Sequence, residues 1–156
     1  MNSTDKQKNE ELISSIPCGK VLIFSHKSFK TDKPKFTVLV YKEINVKGGI
    51  NQIYCMTINS DIARRHKEHR CNDYACITAK DYKFLSHSQS YINCINILPI
   101  PIKDIVSQYD TLFPRKDKDA TISRQTRDDI LRIVERLKDI DTATKNKVIS
   151  GLKSII

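Results

Sequence analysis

The chain has 156 residues, enough for one ordinary domain with a hydrophobic core and too few for two comfortable ones. Its formal net charge of +9 favours an acidic partner such as nucleic acid, an acidic protein or an anionic membrane surface. No apolar run approaches the roughly 20 residues of a membrane span, and residues 1–12 lack the apolar core of a secretory signal. We therefore expect a cytoplasmic protein with no membrane-inserted segment.

In chain order, residues 1–16 are predicted to form a polar N-terminal arm with some helical tendency, and residues 17–156 a single domain. Five runs rich in β-branched and aromatic residues then predict strands. They cover residues 19–25, 36–44, 50–58, 74–79 and 90–100, and Pro99 and Pro101 end the last of them. Short strands at this spacing favour a small barrel or sandwich.

The hydrophobic period changes in residues 121–156, which predict a C-terminal helical extension. Apolar residues recur at the spacing of one helix face at Ile130, Ile133, Val134, Leu137 and Ile140. A capping pattern places the start of this helix at Ser123 or Thr126, and a second amphipathic helix is predicted over residues 144–155. The apolar face either packs on the chain's own barrel or docks on another subunit or a regulatory peptide.

The loop between the first two predicted strands is strongly basic. Positions 20 to 42 hold one acidic residue, Asp32, and six lysines: Lys20, Lys27, Lys30, Lys33, Lys35 and Lys42. Phe29 and Phe36 are candidates to stack on bases, a contact worth about 1–3 kcal/mol per base. The pattern predicts that Lys27, Lys30 and Lys33 contact nucleic acid, and the alternative is a solvated lysine loop without a partner.

A second segment, residues 64–76, begins with a run of charged residues and contains four side chains of the types that bind zinc: His66, His69, Cys71 and Cys76. Their spacing is irregular, and Cys76 lies inside the fourth predicted strand, where a cysteine is typically a small core residue. We therefore predict no metal site. The interpretation that remains is a basic surface loop, in which Arg64 and Arg65 are candidates to bind phosphates.

Two hydroxyl side chains, Thr57 and Ser60, lie at the carboxyl end of the third predicted strand. A hydroxyl at such a strand end can bond to a phosphoryl oxygen. The alternative is an ordinary strand threonine followed by a turn serine. Three of the five cysteines, Cys55, Cys76 and Cys94, lie in apolar runs, which fits buried free thiols in a reducing compartment better than a disulfide scaffold.

With these elements placed, the chain resembles the PemK/MazF family of toxins from bacterial toxin–antitoxin modules over roughly residues 17–140. "GKVLIF" is similar to the family's opening strand and "KPKFTVLVY" to its second run. "YCMTINS" is similar to its threonine-bearing strand, "FLSHSQSYINC" to its serine-led strand and "TISRQTRDDILRIVERL" to its closing helix. The order and spacing of these short matches carry the resemblance.

The resemblance implies an α+β fold, mainly β: a small SH3-like barrel with C-terminal helices, often as a homodimer with a cognate antitoxin protein. It also implies a metal-independent, cofactor-independent endoribonuclease that cleaves single-stranded RNA through attack by the substrate's 2′-hydroxyl. The family's threonine falls at Thr57 and its serine near Ser60, Lys35 replaces an arginine, and His26 is a candidate base.

Asn93 and Ile95 stand where some members of this family carry an arginine and an aspartate. Three hypotheses follow from these departures. The first is an active ribonuclease toxin, and the second is a PemK-like protein that binds RNA or protein without cutting it. The third is an unrelated basic barrel whose role is assembly.

Overall fold

A computed structural model describes residues 2–60 and 73–155 of the chain. Three α-helices, five β-strands and two 3-10 helices make up the described part. The helices are α1 (Ser3–Ser14), α2 (Arg124–Arg136) and α3 (Thr142–Lys153). The strands are β1 (Val21–Phe24), β2 (Lys35–Glu43), β3 (Gln52–Asn59), β4 (Tyr74–Thr78) and β5 (Gln89–Pro101), and the 3-10 helices are Ile102–Asp104 and Val106–Thr111.

The five strands form one antiparallel sheet in the order β1-β2-β3-β5-β4. All five predicted strands are present, and the α+β class is confirmed. The predicted closed barrel is not observed, because β1 and β4 lie at opposite ends of the strand order and do not pair within the described residues. β5 instead inserts between β3 and β4, an arrangement that the local strand pattern does not specify.

Each face of the sheet packs against helices, because the apolar side chains of the strands alternate between the two faces. On one face, Val38, Met56 and Ile92 join a buried cluster with apolar residues of α2 and α3. On the other, Leu39 and Cys55 join a cluster that includes the end of α1 and the two 3-10 helices. The predicted alternative in which the C-terminal helices pack on the chain's own sheet is the one observed.

The N-terminal segment, predicted as a polar arm with some helical tendency, forms a helix. Asn2 caps α1, since its side-chain oxygen accepts from the Asp5 backbone N–H at 2.8 Å. The polar first turns lie on the surface, whereas Ile13 is fully buried and Ile16 almost so. Two apolar residues at the end of a polar helix therefore attach it to the core.

The start of α2 agrees with the capping prediction. Ser123 is its N-cap, and the Ser123 hydroxyl accepts from the Thr126 backbone N–H at 3.2 Å. The helix ends at Arg136, so Leu137 is its C-cap and Ile140 lies beyond it. Within the described residues, no helix is both long and apolar enough to cross a membrane.

Pro99 does not end β5, contrary to the prediction, whereas Pro101 is its last residue. β5 continues to Pro101, with Pro99 opposite Tyr54 of β3. β4 pairs with residues 89–93 of β5 only, so the prolines lie where β5 has a described strand neighbour on one side. A residue without an N–H fits such a position, because it removes no bond from a second ladder.

Candidate nucleic-acid interface

Four side chains form a row across one face of the sheet, and we call them the polar row: Lys35, Asn59, Tyr91 and Cys76. Asn59 of β3 is opposite Tyr91 of β5, and Tyr91 is opposite Cys76 of β4. Directly opposed residues of antiparallel strands project from the same face. The Lys35 ammonium of β2 donates to the Asn59 side-chain oxygen, and this bond adds β2 to the row.

The structure brings Lys35 and Thr57, two of the predicted site residues, together through Asn59. The Asn59 side-chain N–H donates to the Thr57 hydroxyl oxygen at 3.1 Å, while the Asn59 oxygen accepts from Lys35. Thr57 is 7% exposed, and it lies opposite Thr37, which is fully buried. A cation and a hydroxyl thus share one amide at the end of β3.

Asn59 was not among the residues selected from the sequence, which pointed to Ser60 instead. Side chains two apart in a strand share a face and those three apart do not. Asn59 therefore lies on the same face as Thr57, whereas Ser60 follows the end of the strand and is half-buried. Strand alternation alone would have identified Asn59 as the neighbour of Thr57.

His26 is held by two other partners. Its Nε2 lies 2.9 Å from Oδ2 of Asp104, and its Nδ1 lies 2.7 Å from the Ser28 hydroxyl oxygen. The imidazole is only 6% exposed. These bonds connect His26 to its own loop and to the 3-10 helix after β5, rather than to the amide shared by Lys35 and Thr57.

The lysine loop, residues 25–34 between β1 and β2, exposes its lysine side chains but buries the ring of Phe29. Lys27, Lys30 and Lys33 are exposed, whereas Phe29 is 7% exposed and packs against Phe24 with ring centroids 5.3 Å apart. Phe36 likewise packs on another ring of the core. The prediction that Phe29 stacks on bases is therefore wrong, because its ring is buried, whereas stacking by the half-buried Phe36 stays a prediction.

Tyr91 is the aromatic side chain of the polar row, and it is half-buried. Burial raises the pKa of its phenol, and the neighbouring Cys76 thiol raises it further. A phenol is neutral and able to donate at physiological pH, and the raised pKa keeps the Tyr91 hydroxyl so. Asn93, at the position where some PemK/MazF members carry an arginine, faces the same way and lies opposite Tyr74.

Cys76 is exposed, which contradicts its prediction as a core residue. Cys55 and Cys94 are buried as expected, and burial raises the pKa of each thiol to about 12. Arg64 and Arg65 lie outside the described residues, as do His66, His69 and Cys71. Among residues 2–60 and 73–155, no group of three or more His, Cys, Asp or Glu side chains could hold a metal ion.

Comparison with known proteins adds no assignment: no family model, no curated protein and no solved structure matches the chain. The resemblance to the PemK/MazF family stays a prediction based on short sequence matches.

Proposed function

We propose that the protein binds single-stranded RNA along the lysine loop and the polar row. The observation that carries this proposal is the continuity of charge. Three exposed lysines, Lys27, Lys30 and Lys33, precede Lys35, which bonds to Asn59 on the sheet. Asp32 is the one acidic residue of that loop.

The chemistry of the row suits the separate parts of a nucleotide. Lysines neutralise phosphates, a contribution that does not depend on sequence. The half-buried Asn59 amide can bond to ribose or to base edges, and the half-buried Tyr91 ring offers stacking worth about 1–3 kcal/mol per base. Base edges and faces are accessible in single strands, which favours single-stranded RNA over a duplex.

A second candidate function is cleavage of the bound RNA, as the PemK/MazF resemblance implies. The arrangement of Lys35 and Thr57 around one amide favours it, because attack by a 2′-hydroxyl on the adjacent phosphate needs a cation and a donor for the developing charge. His26 would have to release Ser28 to serve as the base. This reaction yields a cyclic phosphate end and needs no metal ion.

The same resemblance supports three further parts of the proposal: the family's SH3-like fold, a homodimer and a cognate antitoxin protein. Light scattering on the purified chain tests the homodimer directly. A mass of one chain at micromolar concentrations would contradict it without affecting RNA binding.

Salt-dependent RNA affinity tests the main proposal. A variant with alanine at Lys27, Lys30, Lys33 and Lys35 should bind a labelled oligoribonucleotide less tightly, whatever its sequence. The dependence of log affinity on log salt should become shallower by about 0.7 for each phosphate of a single strand that the variant no longer neutralises.

A matched control removes four exposed lysines from other parts of the surface: Lys80, Lys83, Lys118 and Lys153. Both variants have the same net charge, so a difference between their RNA affinities depends on where the removed lysines lie. Equal affinity and equal salt dependence of the two variants would contradict the proposed interface.

A further inference from the structure

A serine and a histidine of the lysine loop and an aspartate of the 3-10 helix after β5 are bonded in series, an arrangement that RNA binding does not use. The Ser28 hydroxyl lies 2.7 Å from Nδ1 of His26, and Nε2 of His26 lies 2.9 Å from Oδ2 of Asp104. Ser28 and Asp104 are exposed and half-buried, respectively, while the imidazole between them is 6% exposed.

The hydrogen bonds fix which ring nitrogen carries the proton. The Ser28 backbone N–H donates to Nδ1 at 3.1 Å, so Nδ1 is an acceptor in the neutral ring. Nε2 then bears the proton and donates it to the Asp104 carboxylate. Nδ1 can therefore accept from the Ser28 hydroxyl, as a general base must, while Asp104 holds the tautomer.

A cavity of about 660 Å³ adjoins this series of bonds. His26 and Asp104 line it, together with Lys27 and Phe29, the residues on either side of Ser28. Ser28 does not line this cavity, but it is exposed, so a small acyl compound can approach it from solvent.

We infer that Ser28, His26 and Asp104 form an acyl-transfer site for small carboxylic esters, with Ser28 as nucleophile, His26 as base and Asp104 as positioning residue. The Ser28 oxygen attacks the ester carbonyl carbon while its proton passes to Nδ1 of His26. The carbon–oxygen bond to the alcohol then breaks, and the leaving alcohol takes that proton. Water, activated in the same way, releases the carboxylic acid and regenerates Ser28.

A purely structural turn would use the same bonds between His26 and Ser28, since the two residues are two apart in sequence. Two observations favour a reactive site. Asp104, 78 positions away in the chain, orients the far side of the ring. Ser28 is exposed, and its hydroxyl also lies within hydrogen-bond distance of Nδ1, whereas a turn would need only its backbone N–H.

A fluorophosphonate probe tests the inference, because it forms a covalent bond with an activated serine. We expect the full-length protein to be labelled, and peptide mapping of the labelled wild type to place the adduct on Ser28. Ser28→Ala should abolish the labelling, and His26→Gln should slow it by about 100-fold or more. Ser86→Ala, a change at an exposed serine outside the loop, is the matched control and should label at the wild-type rate.

Asp104 is tested by two variants. Asp104→Asn should slow labelling by about 100-fold or more, because the amide no longer favours the Nε2–H tautomer, and Asp104→Glu should restore part of the rate. A turn with only a structural role would show no such rescue. Wild-type protein that resists the probe, or an adduct at another residue, would overturn the inference, and neither result depends on whether the His26 variant folds. RNA binding is measured separately, since Ser28→Ala leaves every lysine in place.

Discussion

Asn59 and Thr57 are bonded to each other on one face of β3, with the Asn59 amide N–H donating to the Thr57 hydroxyl oxygen at 3.1 Å. The oxygen of the same amide accepts from Lys35. Asn59 therefore fixes the separation between a cation and a hydroxyl by using its donor and its acceptor at once. An acid of the same shape would keep the packing and change only the charge and the donor.

We expect Asn59→Asp to weaken the binding of single-stranded RNA by about tenfold, equivalent to about 1.4 kcal/mol. A carboxylate beside Lys35 neutralises one phosphate-binding charge and repels the backbone of the RNA. Fluorescence anisotropy with a labelled oligoribonucleotide measures the change. Asn146→Asp, at an exposed position of α3, alters net charge equally and is the control. The same reduction of affinity in both variants would mean that net charge alone governs binding.

For cleavage, we expect Lys35→Ala and Thr57→Val each to slow the reaction by about 100- to 1000-fold, the usual effect of losing one donor to a transition state. Thr57→Val keeps the shape of the side chain. The measurement is a time course on a long single-stranded RNA in chelator, with mapping of cyclic phosphate ends. Wild-type protein that binds RNA and leaves it intact would eliminate the enzyme and keep the binding protein. Equal cleavage rates for the wild type and both variants would mean that Lys35 and Thr57 are not part of the cleavage site.

Local pattern was sufficient to predict the five strands and the two C-terminal helices of this fold, but not its two 3-10 helices. The β-branched runs identified all five strands, and the Ser123 cap identified the start of α2, because these signals depend on neighbours in sequence. Closure of the sheet depends instead on which strands meet, and nothing local to β1 or β4 specifies that they remain apart.

The candidate site divides in the same way. The position of Asn59 beside Thr57 can be predicted from the sequence, since it follows from alternation along β3. The bond between His26 and Asp104 cannot be predicted in this way, because it joins residues 78 positions apart. Phe29 is a third case: a single aromatic residue among lysines gives no sign that the loop folds back and packs that ring on Phe24.

Acid stability should depend on Glu43. The Tyr54 hydroxyl donates to this carboxylate and, with smaller contributions from Gln52 and Lys147, holds its pKa below the ordinary value despite partial burial. A group whose pKa is lower in the folded state stabilises the fold above its unfolded pKa, about 4.3 for glutamate, and loses that contribution as the pH falls through the folded pKa.

We therefore expect Glu43→Gln to lower the free energy of unfolding at neutral pH and to match the wild type more closely near pH 3. Urea denaturation at both pH values measures the difference. Glu135→Gln, at an exposed position of α2, makes the same change in net charge and should show no such convergence. A constant gap between wild type and Glu43→Gln across the pH range would contradict the assigned role of the Tyr54 bond.

The contact between α3 and β2 leads to a prediction whose sign is opposite to that of helix propensity. A Cβ added at Gly151 would lie 2.9 Å from the Val40 carbonyl carbon and 3.1 Å from the Tyr41 Cα, both of them backbone atoms that cannot rotate away. Alanine is normally better than glycine inside a helix by about 1 kcal/mol. Here overpacking should cost about 1–3 kcal/mol or more and exceed that gain.

We accordingly expect Gly151→Ala to lower the free energy of unfolding, as measured by urea denaturation at neutral pH. Ser150→Ala, at the exposed neighbouring position, is the matched control and should be neutral or slightly stabilising, because it receives the gain in propensity without the clash. If Gly151→Ala were as stable as the control, α3 could not lie against the backbone of β2 at this point. That result would contradict the packing of α3 on the sheet described above.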